Sequence, residues 1–277
     1  MIKSIQIPYN ELFETRCRLA HDAGFRHMAV NFAALDHKTS DEWNVMRDDI
    51  EKILEKYNLK CVQSHLYYYD LRISSEIIDE EREEDIKEGI RVTAELGGDW
   101  CVYHPRTAIN SGYKTSSAME DNKKVISTYL EAAVKYGTGV ALENLPIFGG
   151  IVPQMPFFTS NYEDLITLTD SFNDKRVGIC WDTGHANMMD FNQANAIKEV
   201  GSRLKCTHIH NNFKREDSHM TPLAGDIKWD EVMKAFKEIS YEGPFTCETG
   251  TPYTNEEAMR LYMNFDYQGL EYLEKLN

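Results

Sequence analysis

The 277-residue chain lacks any apolar run approaching the roughly 20 residues that cross a bilayer, so a membrane-spanning helix is excluded. Its first residues, Met1 to Ile7, carry no signal-peptide apolar region, and a secretory leader is not expected. None of the six cysteines forms a C-x-x-C pair, which argues against a redox motif or a zinc ribbon. Most sit in short apolar runs, where cysteine behaves as a small buried hydrophobe; reduced thiols and a cytoplasmic location are expected. No G-x-G-x-x-G turn occurs, so the dinucleotide-binding fingerprint is missing. Basic residues are outnumbered, 30 Lys and Arg against 45 Asp and Glu, and the net charge of −15 repels polyanions. Neither a nucleic acid nor a membrane is expected as partner. What the chain does have is 42% hydrophobic residues, enough for a large core and too many for disorder.

Eight short β-type runs recur: Ser4–Ile7, His27–Asn31, Leu59–Ser64, Trp100–Tyr103, Gly139–Leu142, Val177–Trp181, Lys205–Ile209 and Pro244–Cys247. Helical periodicity fills the intervals, over Asn10–His21, Ser40–Tyr57, Ser75–Leu96, Ser117–Tyr136, Tyr162–Asp170, Asn192–Val200, Trp229–Ile239 and Asn255–Leu276. Several helices run into glycine before the next strand, as at Gly24, Gly97 and Gly137. Alternation implies parallel strands with crossover helices. Eight such units in one chain predict an α/β fold, a (β/α)₈ TIM barrel occupying residues 1–277 as a single domain. The acidic run Asp79 to Asp85 reads as a solvated helix face, and residues 139–155 as a long loop-bearing segment beside the site.

Polar residues fall at the ends of these runs. Six consecutive strands end in His65, His104, Glu143, Asp182, His208 and Glu248, at steps of 39, 39, 39, 26 and 40 residues. Parallel barrel strands all end on one face, so residues far apart in sequence converge there. Two glutamates, an aspartate and several histidines make a divalent-metal site. Asp182-Thr183-Gly184-His185 adds a histidine one turn beyond its aspartate, able to join the cavity or orient a ligand. In His208-Ile209-His210 both imidazoles share a strand face; His208 is preferred as the ligand, with His210 as the alternative. His21, His27 and His37 fall outside the pattern. Tyr67, Tyr68 and Tyr69 follow His65, and Trp181 sits beside Asp182, placing apolar ring faces next to the strand ends.

Leu142-Glu143-Asn144, Trp181 to Ala186, Thr207 to Asn212, Pro222 to Asp230, Tyr241 to Pro244 and Glu248 together resemble the xylose isomerase-like TIM barrels. That superfamily includes sugar isomerases and epimerases and the family 2 endonucleases acting at abasic sites. The resemblance spans nearly the whole chain and is less specific for a substrate than for the superfamily. It implies one divalent ion held by Glu143, Asp182, His208 and Glu248, with manganese expected first and zinc, magnesium or cobalt as alternatives. It also implies Glu143 and Glu248 as catalytic acid and base, moving a proton beside a ketose carbonyl through a metal-stabilised enediolate. His65, His104, His185, Tyr67 and Trp181 would then bind a sugar, keto-sugar or sugar phosphate. Homo-oligomers are common among such barrels.

Two other enzyme readings share these residues. The same intermediate can expel a β-substituent, as in the inosose dehydratase-like or keto-glycoside lyases. The zinc nuclease reading matches nine ligands by residue type, adding Asp217 and His219 as candidate ligands of an additional metal. Against it stand the altered spacing around Asp217-Ser218-His219, the Arg106 after His104-Pro105 where a glycine is expected, and the acidic charge. A non-catalytic sugar-binding barrel would not need two opposed glutamates. No glycine-rich phosphate cradle follows the late strands, and Arg72, Arg106, Lys214 and Arg215 are the only cations singled out for such a role.

Overall fold

The computed structural model describes residues 1–67, 80–107, 115–148, 155–189, 191–249 and 254–276. Eight parallel strands close into a barrel: β1 (Ile2–Pro8), β2 (His27–Asn31), β3 (Lys60–His65), β4 (Trp100–Tyr103), β5 (Gly139–Glu143), β8 (Val177–Asp182), β9 (Leu204–Ile209) and β10 (Pro244–Cys247). A two-stranded antiparallel ribbon, β6 (Ile147–Phe148) with β7 (Met155–Pro156), interrupts the order after β5. Helices α1 (Phe13–Ala23), α2 (Ser40–Lys56), α3 (Glu80–Glu95), α4 (Thr115–Tyr136), α5 (Tyr162–Asp170), α7 (Gln193–Val200), α8 (Trp229–Glu238) and α9 (Glu256–Leu276) connect the barrel strands or follow the last. One short helix, α6 (Thr183–Asn187), begins directly at the end of β8. All eight sequence-read strands and eight helices are present, with shifted ends. The ribbon and α6 are too short to show periodicity. Residues 75–79 of the expected third helix lie outside the described residues.

Local chemistry explains the boundaries. In α8, Trp229, Val232, Met233 and Phe236 recur at helical spacing and are all buried. Thr39 caps α2: its hydroxyl accepts from Glu42 N–H while the Glu42 carboxylate accepts from Thr39 N–H. Gly24 ends α1 with φ of 117°, a left-handed turn open to glycine. Helix α1 begins at Phe13, three residues later than the periodicity predicts, and Asn10 Oδ1 accepts from Leu12 N–H and from Arg16, each at 3.0 Å.

The strands are buried on both faces, which is why they read as continuous apolar runs. Side chains still alternate. Val102, Ala141, Cys180 and Cys206 form a small cluster of their own, distinct from the main core. This is the barrel interior, and Thr246 Oγ1 donates across to Gln63 Oε1 at 3.0 Å. Residues two positions further along the same strands therefore share that inward face at the C-terminal mouth. They are His65, His104, Glu143, Asp182, His208 and Glu248. All six cysteines are free and buried. No helix among the described residues is long and apolar enough to cross a membrane.

Candidate active site

Glu143, Asp182, His208 and Glu248 come from β5, β8, β9 and the residue after β10, four neighbouring strands of the barrel. One ligand atom from each lies within 4.8 Å of all the others. His208 Nδ1 sits 3.1 Å from Glu143 Oε1 and 3.1 Å from Glu248 Oε2, with Asp182 Oδ2 at 3.9 Å. Glu143, Asp182 and His208 are fully buried. Burial alone would lower the His208 imidazole, but Glu248 and Glu143 outweigh it and hold its pKa well above the usual histidine range. Burial would raise the two glutamates, yet His208 and His104 depress Glu143, and His208 and His219 depress Glu248. Three carboxylates thus share one buried point, and a single imidazole nitrogen faces two of them. No lysine or arginine pairs with these carboxylates among the described residues. That donor set fits a divalent cation.

Two further groups flank it. His104 Nε2 lies 2.9 Å from Glu143 Oε2 and 3.1 Å from His65 Nε2. Burial, then His104, push the His65 pKa down to about 4, so its ring is neutral at ordinary pH. On the other side, His185, His210, Asp217 and His219 form a second group able to hold a metal ion. Asp217 Oδ2 is 3.1 Å from His185 Nε2 and 3.0 Å from His219 Nε2. His210 Nε2 is 2.9 Å from Asp182 Oδ2, and its ring stacks on His219 with centroids 4.1 Å apart. Both imidazoles of His208-Ile209-His210 therefore face inward, each in a different group.

Backbone contacts set these positions. Asn144 clamps Asp182, its Oδ1 accepting from the Asp182 N–H at 2.7 Å and its Nδ2 donating to the Asp182 carbonyl at 2.9 Å. Asp182 Oδ1 caps α6 by accepting from His185 N–H at 2.6 Å, which explains the D-x-x-H spacing. Gly184 lies against the His210 ring, and a Cβ there would collide with it. Asn211 and Met220 exchange backbone hydrogen bonds at 2.9 and 3.0 Å, which closes the loop that carries Asp217 and His219. His219 holds φ at 43°, a strained value for a non-glycine residue.

Sequence reasoning passed over Gln6, whose Nε2 donates to Glu248 Oε1 at 2.6 Å, and Asn144. Gln6 lies two residues beyond inward-facing Ser4, so counting in twos along β1 reveals it. The two aromatic candidates are placed elsewhere. Trp181 alternates with Asp182 and points into the main core, fully buried, donating to Gln193 Oε1 at 3.3 Å. Tyr67 is half-buried against the core with the Arg82 guanidinium 4.3 Å over its ring. Tyr68, Tyr69 and Arg72 lie outside the described residues, as do residues 149–154 of the expected loop. Arg106 pairs with Glu83 and donates to Tyr103 and Tyr129, a structural assignment rather than a phosphate contact.

Known proteins agree with this architecture. The Xylose isomerase-like TIM barrel profile matches residues 17–265, and the chain belongs to that family. An uncharacterised protein of Methanocaldococcus jannaschii is 29% identical over 204 residues, covering 71% of this chain and 67% of that protein. A D-psicose 3-epimerase of Enterocloster bolteae is 31% identical over 100 residues, 34% of this chain and 32% of the relative. The match thus spans about a third of that epimerase's length. A solved D-tagatose 3-epimerase-like protein superposes with a TM-score of 0.74 at 20% identity, covering 99% of both chains.

Proposed function

We propose that the protein is a metal-dependent isomerase or epimerase of a sugar-derived ketose. The observation that carries this reading is the pair of glutamates, Glu143 and Glu248, meeting at one His208 nitrogen at 3.1 Å each. Glu143, Asp182, His208 and Glu248 would hold one divalent ion, manganese by family likeness. When bound, the ion supplies Lewis-acid polarisation of a carbonyl and its neighbouring hydroxyl. The epimerase relative named above supports the substrate class.

The chain's own groups divide the remaining work. Glu143 and Glu248 enter the mouth from β5 and from beyond β10, separated around the rim by β8 and β9. One carboxylate removes the proton beside the carbonyl and keeps it, while the other, carrying a proton drawn from solvent, delivers that proton to the opposite face; delivery by the first carboxylate to the neighbouring carbon gives isomerisation instead. Gln6 fixes Glu248 through its 2.6 Å hydrogen bond. His104, held against Glu143 and neutral His65, donates to the oxygen on which charge develops. His185 is anchored on the Asn144 carbonyl at 2.8 Å and presents its other nitrogen to Asp217.

The test is proton exchange. Ketoses incubated with the native protein in deuterated water should take up deuterium beside the carbonyl, and Glu248→Gln should abolish it. A metal-free active enzyme, or unchanged turnover in Glu248→Gln, would sink this reading. Release of water or a leaving group would reassign the chemistry to a lyase. The second group at Asp217 and His219 favours one other reading, a three-zinc nuclease. That reading requires about three zinc ions per chain and cleavage of a duplex carrying an abasic site. The net charge of −15 opposes it.

A further inference from the structure

The histidine and carboxylate groups occupy the rim from β3 round to β10. The rest of the rim, at β1 and β2, is built differently. A cavity of about 280 Å³ opens there, lined by Gln6, Arg16, Asn31, His219 and Glu248 among others. It joins the reacting glutamate Glu248 to a segment of the rim whose two strands end in Pro8 and Asn31 rather than in histidine.

Arg16 is the unusual member. It stands in the first turns of α1, directly after the mouth end of β1, and is only 7% exposed. Its Nη1 donates to Asn10 Oδ1 at 3.0 Å, its only side-chain partner among the described residues, and its buried Nε has none among them. No carboxylate among the described residues lies within ion-pair distance of it. A buried guanidinium without a counter-charge is costly, and an anion is the natural complement. Burial depresses its pKa, with Glu11 partly offsetting this. Two neighbours also have unused capacity. Asn31 Oδ1 accepts from Ala33 N–H at 2.7 Å, and its amide N–H groups donate to none of the described residues. Gln6 Nε2 is spent on Glu248, while its Oε1 has no partner.

We infer that Arg16 is a specificity-determining residue that binds the carboxylate of an acidic sugar derivative, whose opposite end lies at Glu248. The planar guanidinium matches a two-oxygen carboxylate head, and one positive charge matches one negative charge. A phosphate dianion would leave a negative charge uncompensated in a cavity that already contains Glu248. Asn31 donates to the same head or to the adjacent hydroxyl. The substrate class becomes a ketose with an oxidised terminal carbon. This rests on the proposed function only for which end of the substrate reacts.

Calorimetric titration of the full-length protein, with the metal it is purified with, tests this by binding. The probes are D-gluconate, D-glucitol and D-glucitol 6-phosphate. Gluconate should bind about 10- to 100-fold tighter than glucitol, the range of a charge-assisted hydrogen-bond pair. In Arg16→Gln the ratio should fall to near one, and Arg16→Lys should restore part of it. A ratio near one in the parent protein overturns the inference whether or not the variants fold. So does a preference that persists in Arg16→Gln, since the carboxylate then binds elsewhere, for instance on the metal. Tighter binding of the phosphate ester overturns the choice of carboxylate. The two proposals fail separately. Proton exchange on neutral ketoses with no gluconate preference removes this one alone. An Arg16-dependent preference without exchange on any keto acid removes the other alone.

Discussion

The two histidine–carboxylate groups that meet at Asp182 are built from different parts of the fold. The first takes Glu143, Asp182 and His208 from strand ends, with Glu248 one residue past its own, and three of the four are fully buried. The second takes Asp217 and His219 from the loop between β9 and α8, both with side chains about 30% exposed, and His219 holds a strained backbone. Strand ends are positioned by the whole barrel, whereas a loop pair is positioned by the few hydrogen bonds around Asn211 and Asn212. The difference argues that the strand-borne group carries the chemistry and the loop-borne one adjusts it. Asp182 links them, since its carboxylate faces His208 and His210 and caps α6.

The largest expected effect lies in the first group. Glu143→Gln should cut turnover by about 10³-fold, within the range for losing a general acid or base. Steady-state kinetics on the metal-loaded variant checks it. A loss of less than tenfold there, with a larger loss in Asp217→Asn, would reverse the comparison and move the chemistry to the loop-borne group.

A buried aspartate without histidines gives a control for the electrostatics. Asp266 on α9 accepts from Thr249 Oγ1 at 2.5 Å, and its other oxygen has no partner among the described residues. Burial raises its pKa to about 7, only partly countered by the Thr249 hydrogen bond. Asp217, with His185 and His219 beside it, is held below the usual carboxylate range instead. For Asp266 the native state binds the extra proton. Its contribution to stability is complete below the unfolded pKa near 3.8 and is lost as pH rises through about 7. Asp266→Asn should remove that slope, a difference of at most about 4 kcal/mol between pH 3 and pH 8. Denaturant melts of parent and variant across this range measure it; parallel profiles would contradict the assignment.

Metal linkage ranks next. A divalent ion binding only the folded site stabilises by about 2.7 kcal/mol at 100-fold excess over its Kd. Chelation should lower the melting temperature, and Mn²⁺ should restore it. Asp217→Asn should retain this response and Asp182→Asn should lose it. Metal analysis of both variants against the parent shows whether the second group holds an ion of its own.

The legibility of the chain follows the same division. The runs His27–Asn31, Trp100–Tyr103 and Pro244–Cys247 coincide with β2, β4 and β10, because strands covered on both faces must be apolar throughout. The polar ends of the barrel strands stand out for that reason: six candidates are legible there, and family likeness narrows them to the four proposed ligands. The same continuity hides alternation, which is why Trp181 reads as a companion of Asp182 although it faces the helices. Asp217 and His219 emerge only through family likeness, since no periodicity governs a loop closed by the Asn211–Met220 backbone bridge. Arg16 on α1 is not among the cations the sequence singles out. Its burial depends on where α1 meets the barrel mouth, a tertiary fact with no local signature.

The smallest effect is the one that most sharpens the comparison. If the loop-borne group only orients His185 and His210, Asp217→Asn should lower turnover by about tenfold, the effect of losing one charge-assisted hydrogen bond. The His185 and His219 imidazoles are held raised against burial, His219 to about 9, by nearby carboxylates that include Asp217. Removing that charge should bring both down toward neutrality. The alkaline limb of the rate profile should then move to lower pH in the variant, while the metal content stays at that of the parent. A lost equivalent of metal with an unmoved pH profile would instead make Asp217 a ligand. The two groups would then be parallel metal sites rather than a centre and its support.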